Sequence, residues 1–222
     1  MTTAQTSLKR SVAGAAMQKC DSTKLDVPLR GHRDYLQGGD ICRSVTDHLA
    51  SVFGSGPTTN FRLKFNNLSR TQLSLSYWPA GERTIPKRTN GLLWFSLSDG
   101  REFEGYLCES GAAIRHRIEG SESAIVSATD IADDTACTTP VEQADLIEHV
   151  VFATKLLHNK HLPLSEGRWI VVEFLLSRLL PRETWGPVQI NLDNSHAGRV
   201  TQSRVSVGAE RVGDIRFLTL TQ

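Results

Sequence analysis

The hydrophobic positions of this chain change their spacing twice, and in the same order each time. Behind Asp40, a good N-capping residue, Ile41, Val45, Leu49, Val52 and Phe53 recur at helical spacing until Gly54, Gly56 and Pro57 stop the run. The period then falls to two. Phe61, Leu63 and Phe65 alternate with Arg62 and Lys64, and Leu73, Leu75 and Tyr77 alternate with Ser74 and Ser76. Gly91 to Leu97 predicts a strand with large residues on both faces, and Asp99-Gly100 predicts a tight hairpin turn into Glu102 to Leu107.

The same order returns later in the chain. Thr139-Pro140-Val141-Glu142 reads as a capping box with proline at the first helical position. The stripe Leu146, Ile147, Val150, Val151, Thr154, Leu157 and His158 follows, and Pro163 marks its end. Ile170 to Leu176 is nearly continuous hydrophobe, as expected of a buried strand. Val188 to Leu192, Ser203 to Ala209 and Ile215 to Leu218 supply further strands. Both helices are too apolar on one side to lie on an open surface, so each must bury its stripe on a sheet. The pattern therefore predicts an α+β fold of two helix-plus-antiparallel-sheet units. Residues 25–130 form the first and residues 131–222 the second, with the small, threonine-rich stretch before Pro140 connecting them.

Composition narrows this picture only a little. A chain of 222 residues with 39% hydrophobic and 22% charged residues has the make-up of an ordinary globular protein. Its formal net charge of +1 gives no bulk attraction for nucleic acid or an anionic membrane. No window approaches the roughly 18 apolar residues of a membrane span. Residues 1–24 hold no acid before Asp21 and few bulky hydrophobes, and read as a flexible leader rather than a targeting segment. Cys20, Cys42, Cys108 and Cys137 form no CxxC pair, which points to reduced thiols in a cytoplasmic protein. Trp78, Trp94, Trp169 and Trp185 read as core and rim packing. No GxSxG, P-loop, GxGxxG or HExxH motif is present, and no cofactor is implied.

The densest chemistry precedes the first helix, in Leu29-Arg30-Gly31-His32-Arg33-Asp34-Tyr35-Leu36-Gln37-Gly38-Gly39-Asp40. His32 could serve as a general base oriented by Asp34, with Tyr35 or the helix N-terminus polarising a carbonyl. Gly38 and Gly39 would let the backbone approach a ligand, and Arg30 and Arg33 could bind its anionic part. The bland alternative is that Arg33 and Asp34 pair, Tyr35 packs and the glycines merely turn the chain. Arg115 and Arg117, flanking His116, could bind a phosphate or an acidic partner, although a strand edge carrying basic side chains is the commoner explanation. His158 and His161 could form a metal pair, but no third ligand is placed by the sequence and no metal site is expected. His48 reads as a hydrogen-bonded helix residue.

A long helix followed by several antiparallel strands resembles the hotdog fold, and two such units in one chain resemble its tandem, or double, form. The resemblance rests on element order over residues 25–222. It implies action on, or binding of, an acyl thioester carried by coenzyme A or acyl carrier protein, by a thioesterase or a dehydratase/hydratase, as in a biosynthetic pathway. It also implies a pseudo-dimer within one chain, which is compatible with either a monomer or a homodimer. Asp193-Asn194-Ser195-His196 resembles the hydratase motif of the family, but the proline-hydrophobe step is missing. Two other functions stay open at this point. One is a non-catalytic binding or assembly protein using Arg33, Arg115 and Arg117. The other is a lyase or isomerase of a small carboxylate held by Arg30 and Arg33.

Overall fold

The structure, a computed structural model, describes residues 22–54, 58–142, 144–182 and 186–221. Most of the expected leader, together with Cys20 and Trp185, lies outside the described residues. The last leader residues are not free chain. They form β1 (Thr23–Lys24), where Thr23 pairs with Leu75.

After the short β2 (Leu29–Arg30), helix α1 (Gly38–Phe53) leads into β3 (Thr58–Phe65), β4 (Leu73–Pro79), β5 (Gly91–Leu97) and β6 (Glu102–Glu109). A second short strand, β7 (Arg117–Ile118), pairs in parallel with β2. Then come α2 (Glu122–Ser127), β8 (Thr129–Ala132) and β9 (Thr135–Thr138). Helix α3 (Leu146–His161) opens the last part and is followed by β10 (Arg168–Arg178), β11 (Val188–His196), β12 (Val200–Val207) and β13 (Glu210–Leu220). Eleven strands form one antiparallel sheet in the order β1-β4-β6-β5-β3-β10-β13-β12-β11-β9-β8. The expected α+β class holds, with each long helix followed by four strands of the sheet.

The two groups meet where β3 pairs with β10, Leu63 opposite Phe174 and Arg62 opposite Leu175. Helix α1 packs on β3 and β10, and α3 packs on β9, β10 and β11 and touches α1. Alternation decides the inner face. In β5, Leu93, Phe95 and Leu97 are buried, while Leu92, Trp94 and Ser96 are half-buried on the other side. On the outer face Glu173 lies between two guanidiniums. Arg62 Nε and Arg216 Nη1 each donate to its carboxylate at 2.6 Å, and Arg62 also covers the Trp94 ring at 4.9 Å.

Three expectations change. The repeat is incomplete, because the strand order outward from the seam is β3-β5-β6-β4 in the first group and β10-β13-β12-β11 in the second. The boundary at residue 130 falls inside the hairpin of β8 and β9, whose second strand pairs with β11. Helix α2, which precedes residue 131, packs on α3. Finally, both helices start elsewhere than expected. Gln37 is the N-cap of α1, making Asp40 its third helical residue, and Asp145 is the N-cap of α3. Thr138 still belongs to β9, and the Val141 N–H donates to His149 Nε2 at 3.1 Å, so residues 139–142 are held as a turn rather than a helix start.

Candidate functional site

The N-terminal halves of α1 and α3 cross. A Cβ on Gly39 would lie 3.3 Å from Val151, and Arg43 Nε donates to Asp145 at 3.0 Å. Each helix carries an acid at its third position, Asp40 and Glu148, and both acids bind Arg30. Arg30 Nε lies 3.1 Å and Nη2 2.6 Å from Asp40 Oδ1, and Ser121 Oγ donates to Glu148 at 2.8 Å. Burial raises the pKa of the Asp40 carboxyl, against the pull of the Arg30 guanidinium. This cluster fixes the two helices to one another.

The two helix N-termini are finished differently. At α3 a capping box closes the end: Asp145 accepts from the Glu148 N–H at 2.9 Å, and Glu148 accepts from the Asp145 N–H at 2.8 Å. Arg43 then covers the outer oxygen of Asp145. At α1 the N-cap is Gln37, which makes no side-chain capping hydrogen bond, and Gly38 and Gly39 follow it. The N–H groups of that first turn have no partner within the helix and make this end a region of positive potential.

A cavity of about 30 Å³ lies at this open end, lined by Tyr35, Gln37, Gly38, Gly39, Lys155 and Trp169 among others. Gln37 Nε2 and Trp169 Nε1 are buried without a hydrogen-bond partner, in residues only 7% and 4% exposed. Lys155, half-buried, holds its ammonium over the Phe152 ring at 5.3 Å and pairs with no carboxylate among the described residues. Its pKa is pulled down to about 8, first by burial and then by the charge of Arg33, with Arg168 acting in the same direction. The Arg168 guanidinium lies over the Tyr35 ring at 4.5 Å. Donors and cations thus converge on one small space.

The residues expected from the sequence divide at this cavity. Tyr35, Gly38 and Gly39 line it. Gly38 is also needed for packing, since a Cβ there would lie 3.0 Å from the Phe65 ring and 3.1 Å from Val171. The expected pair of His32 and Asp34 does not form. Both are exposed, Asp34 lies 3.6 Å from Arg70, and His32 makes no hydrogen bond or ion pair among the described residues. Their loop turns outward because Arg117 holds its backbone, donating to the Gly31 and Arg33 carbonyls. Arg117 is therefore a loop clamp, Arg30 is consumed by Asp40 and Glu148, and Arg33 lies 3.6 Å from Glu122. Arg115 is exposed and touches none of these groups.

Other candidates are also accounted for by packing. His158 is buried between Trp169 and Phe217, with ring centroids at 4.7 and 5.1 Å. His161 faces Asp134 at 4.0 Å, and Asp193 within β11 pairs with Arg204 of β12 at 3.0 Å. Sequence reasoning missed Gln37, Trp169 as a donor, and Lys155. A signal for the last was present, because Lys155 is the one charge in the apolar run Val150 to Leu157.

A wider cleft of about 690 Å³ lies on the other side of the Arg30 cluster, lined by Asp26, Arg43, Asp47, His48, His116 and Arg182 among others. Its charges largely satisfy one another. Arg43 pairs with Asp145, Arg182 with Asp47, and His116 lies 3.6 Å from Asp26. His48 Nε2 lies 3.4 Å from the Tyr77 hydroxyl. Arg43 Nη2 is a buried donor without a partner here too, but the smaller cavity joins two such donors to an uncapped helix end and to Lys155, and it is the better candidate site.

No family model matches the chain, and no curated protein does. Solved structures are similar to it at low identity. The dehydratase domain of PpsC from Mycobacterium tuberculosis, in complex with C12:1-CoA, has a TM-score of 0.47 and 11% identity over 90% of this chain and 92% of that one. The tesB protein of Mycobacterium avium subs paratuberculosis has a TM-score of 0.47 and 12% identity over 87% and 91%. An acyl-ACP thioesterase from Bacteroides thetaiotaomicron has a TM-score of 0.43 and 8% identity over 90% and 97%. Scores of this size say nothing of activity. The hotdog-like description of this chain rests on its own sheet and on the helix that opens each group of strands. No helix among the described residues is long and apolar enough to cross a membrane.

Proposed function

We propose that the chain binds and acts on an acyl thioester, presented by coenzyme A or acyl carrier protein, with the thioester carbonyl seated at the open N-terminus of α1. The carrying observation is the convergence of the unpartnered Gln37 Nε2 and Trp169 Nε1 with Lys155 on the uncapped first turn of that helix. Hydrolysis and proton abstraction beside the carbonyl both build negative charge on the same oxygen. Fixed donors and a nearby ammonium stabilise that charge without reorganising. In this reading Gln37, Trp169 and the Gly38 and Gly39 backbone polarise the carbonyl, Lys155 supplies the charge, and Tyr35 with Arg168 forms the rim.

Mass spectrometry after incubation with short, branched, aromatic and 3-hydroxyacyl-CoA thioesters tests this. Released acid would identify a hydrolase, and loss or gain of water a dehydratase or hydratase. Turnover should fall at least 10-fold in Lys155→Met and stay unchanged in His32→Ala. Turnover that survives Lys155→Met and disappears in His32→Ala would return the site to the exposed loop.

A further inference from the structure

We propose that the group these donors hold most tightly is a carboxylate, which takes the place of the thioester carbonyl between Lys155 and the N-terminus of α1, so that the ligand is a free acid or an acyl thioester bound through a carboxylate on its acyl group. This rests on the thioester reading only for the second of those sources. The cavity is short of negative charge. The two acids whose charge acts on Lys155 are already engaged, Glu122 with Arg33 at 3.6 Å and Asp40 with Arg30 at 2.6 Å. Lys155 and Arg168, in contrast, have no carboxylate partner among the described residues. Lys155 lines the cavity beside a helix N-terminus, and the exposed Arg168 adds positive charge at the Tyr35 rim.

The supply of donors points the same way. The Trp169 indole can only donate, as can the Lys155 ammonium and the first-turn N–H groups, and the buried Gln37 Nε2 adds another. A neutral carbonyl has one oxygen to offer them. A carboxylate offers two oxygens with about four acceptor sites, together with the charge that is missing. Size also fits. At about 30 Å³ the cavity admits a small head group and no acyl chain, so the rest of the ligand must leave past Tyr35 and Arg168.

The indole N–H of Trp169 reports directly on the cavity. Nitrogen-15 spectra of the full chain would be titrated with propionate and with propionamide, its uncharged analogue, and Trp169→Phe would assign the resonance. Propionate should move that one indole signal saturably, and propionamide should bind at least 10-fold more weakly. Lys155→Met, checked for a native melting transition, should weaken propionate at least 10-fold. Gln37→Glu places a carboxylate in the cavity and should abolish propionate binding while raising the melting temperature. Equal binding of the two probes, or unchanged propionate affinity in Lys155→Met, overturns the proposal.

Succinyl-CoA and butyryl-CoA separate the sources. Tighter binding of succinyl-CoA identifies a carboxyacyl thioester, and binding of propionate with no binding of either thioester identifies a free acid. That last outcome would remove the thioester reading and keep the carboxylate site. Butyryl-CoA moving the Trp169 signal when propionate does not would do the reverse.

Discussion

Asp40 and Glu148 occupy the same position, the third residue, in the two long helices, and they share the guanidinium of Arg30. All three groups are largely buried at the floor of the wider cleft, and the cluster acts as a lock between α1 and α3. Removing the cation leaves two carboxylates facing one another away from water. Arg30→Met should therefore cost about 3–5 kcal/mol in urea unfolding at neutral pH. The loss should shrink as pH falls, because protonating an acid whose folded pKa is raised restores stability. A variant equally destabilised at pH 5 and pH 7 would refute the lock.

Lys155 makes a prediction of opposite sign. Its folded pKa of about 8 lies below the ordinary lysine value, so the folded chain gives up the proton first as pH rises. Stability is lowered by the buried charge below pH 8 and recovers between about 8 and 10.5, by at most about 3 kcal/mol. Lys155→Met should be more stable than the parent at pH 7 and level with it near pH 10, measured by urea titration at both. Any function of the lysine is expected to vanish in the same variant. Ligand binding that needs the ammonium should weaken as pH rises through 8.

Alternation placed Phe61, Leu63, Leu73, Leu75 and Tyr77 inside, and all are buried, because period two has one answer once a helix covers one face; Phe65, at the end of its strand, is half-buried. The helix starts were harder to read. Thr139-Pro140-Val141-Glu142 has the capping chemistry, but Asp145 and Glu148 have it too, and the turn fixed by His149 decides between them. The site was legible on one side only. Tyr35, Gly38 and Gly39 are local to the loop, whereas Lys155 and Trp169 reach it from α3 and β10 through the crossing of the helices. His32 drew attention by composition, and composition does not show that Arg117 turns its loop outward. His32→Ala should leave stability within about 0.5 kcal/mol of the parent.

His158 sets the acid limit. Its ring is fully buried between Trp169 and Phe217, both ring nitrogens lack partners, and burial pulls its pKa down to about 4. The unfolded chain takes up the proton first, so stability is complete above about pH 6.5 and is lost as pH falls toward 4. The loss from this residue is at most about 3 kcal/mol, and His149, also lowered by burial, adds to it. His158→Phe should flatten the slope of stability between pH 6.5 and 4 without changing the melting temperature greatly at pH 7.5. An unchanged slope would place the acid sensitivity elsewhere.

The seam between the two groups of strands gives the last prediction. Glu173 is 3% exposed, although it lies on the outer face of the sheet, because Arg62 from β3 and Arg216 from β13 cover it. One carboxylate thus ties both neighbours of β10 across the joint. Its removal leaves Arg62 and Arg216 as like charges over a desolvated gap, a larger penalty than the loss of an exposed ion pair. Glu173→Gln keeps the shape and some hydrogen bonding, and should cost about 1–3 kcal/mol. Glu173→Leu should cost more. Because Arg62 also rests on Trp94, the fluorescence of that indole should change in Glu173→Gln while the fold is intact. Half-molar salt should reduce the difference between parent and variant only in part, since the carboxylate end of each pair is buried while the guanidinium ends are exposed. A difference that disappears in salt would show the Glu173 contacts to be surface pairs with no part in joining β3 to β10.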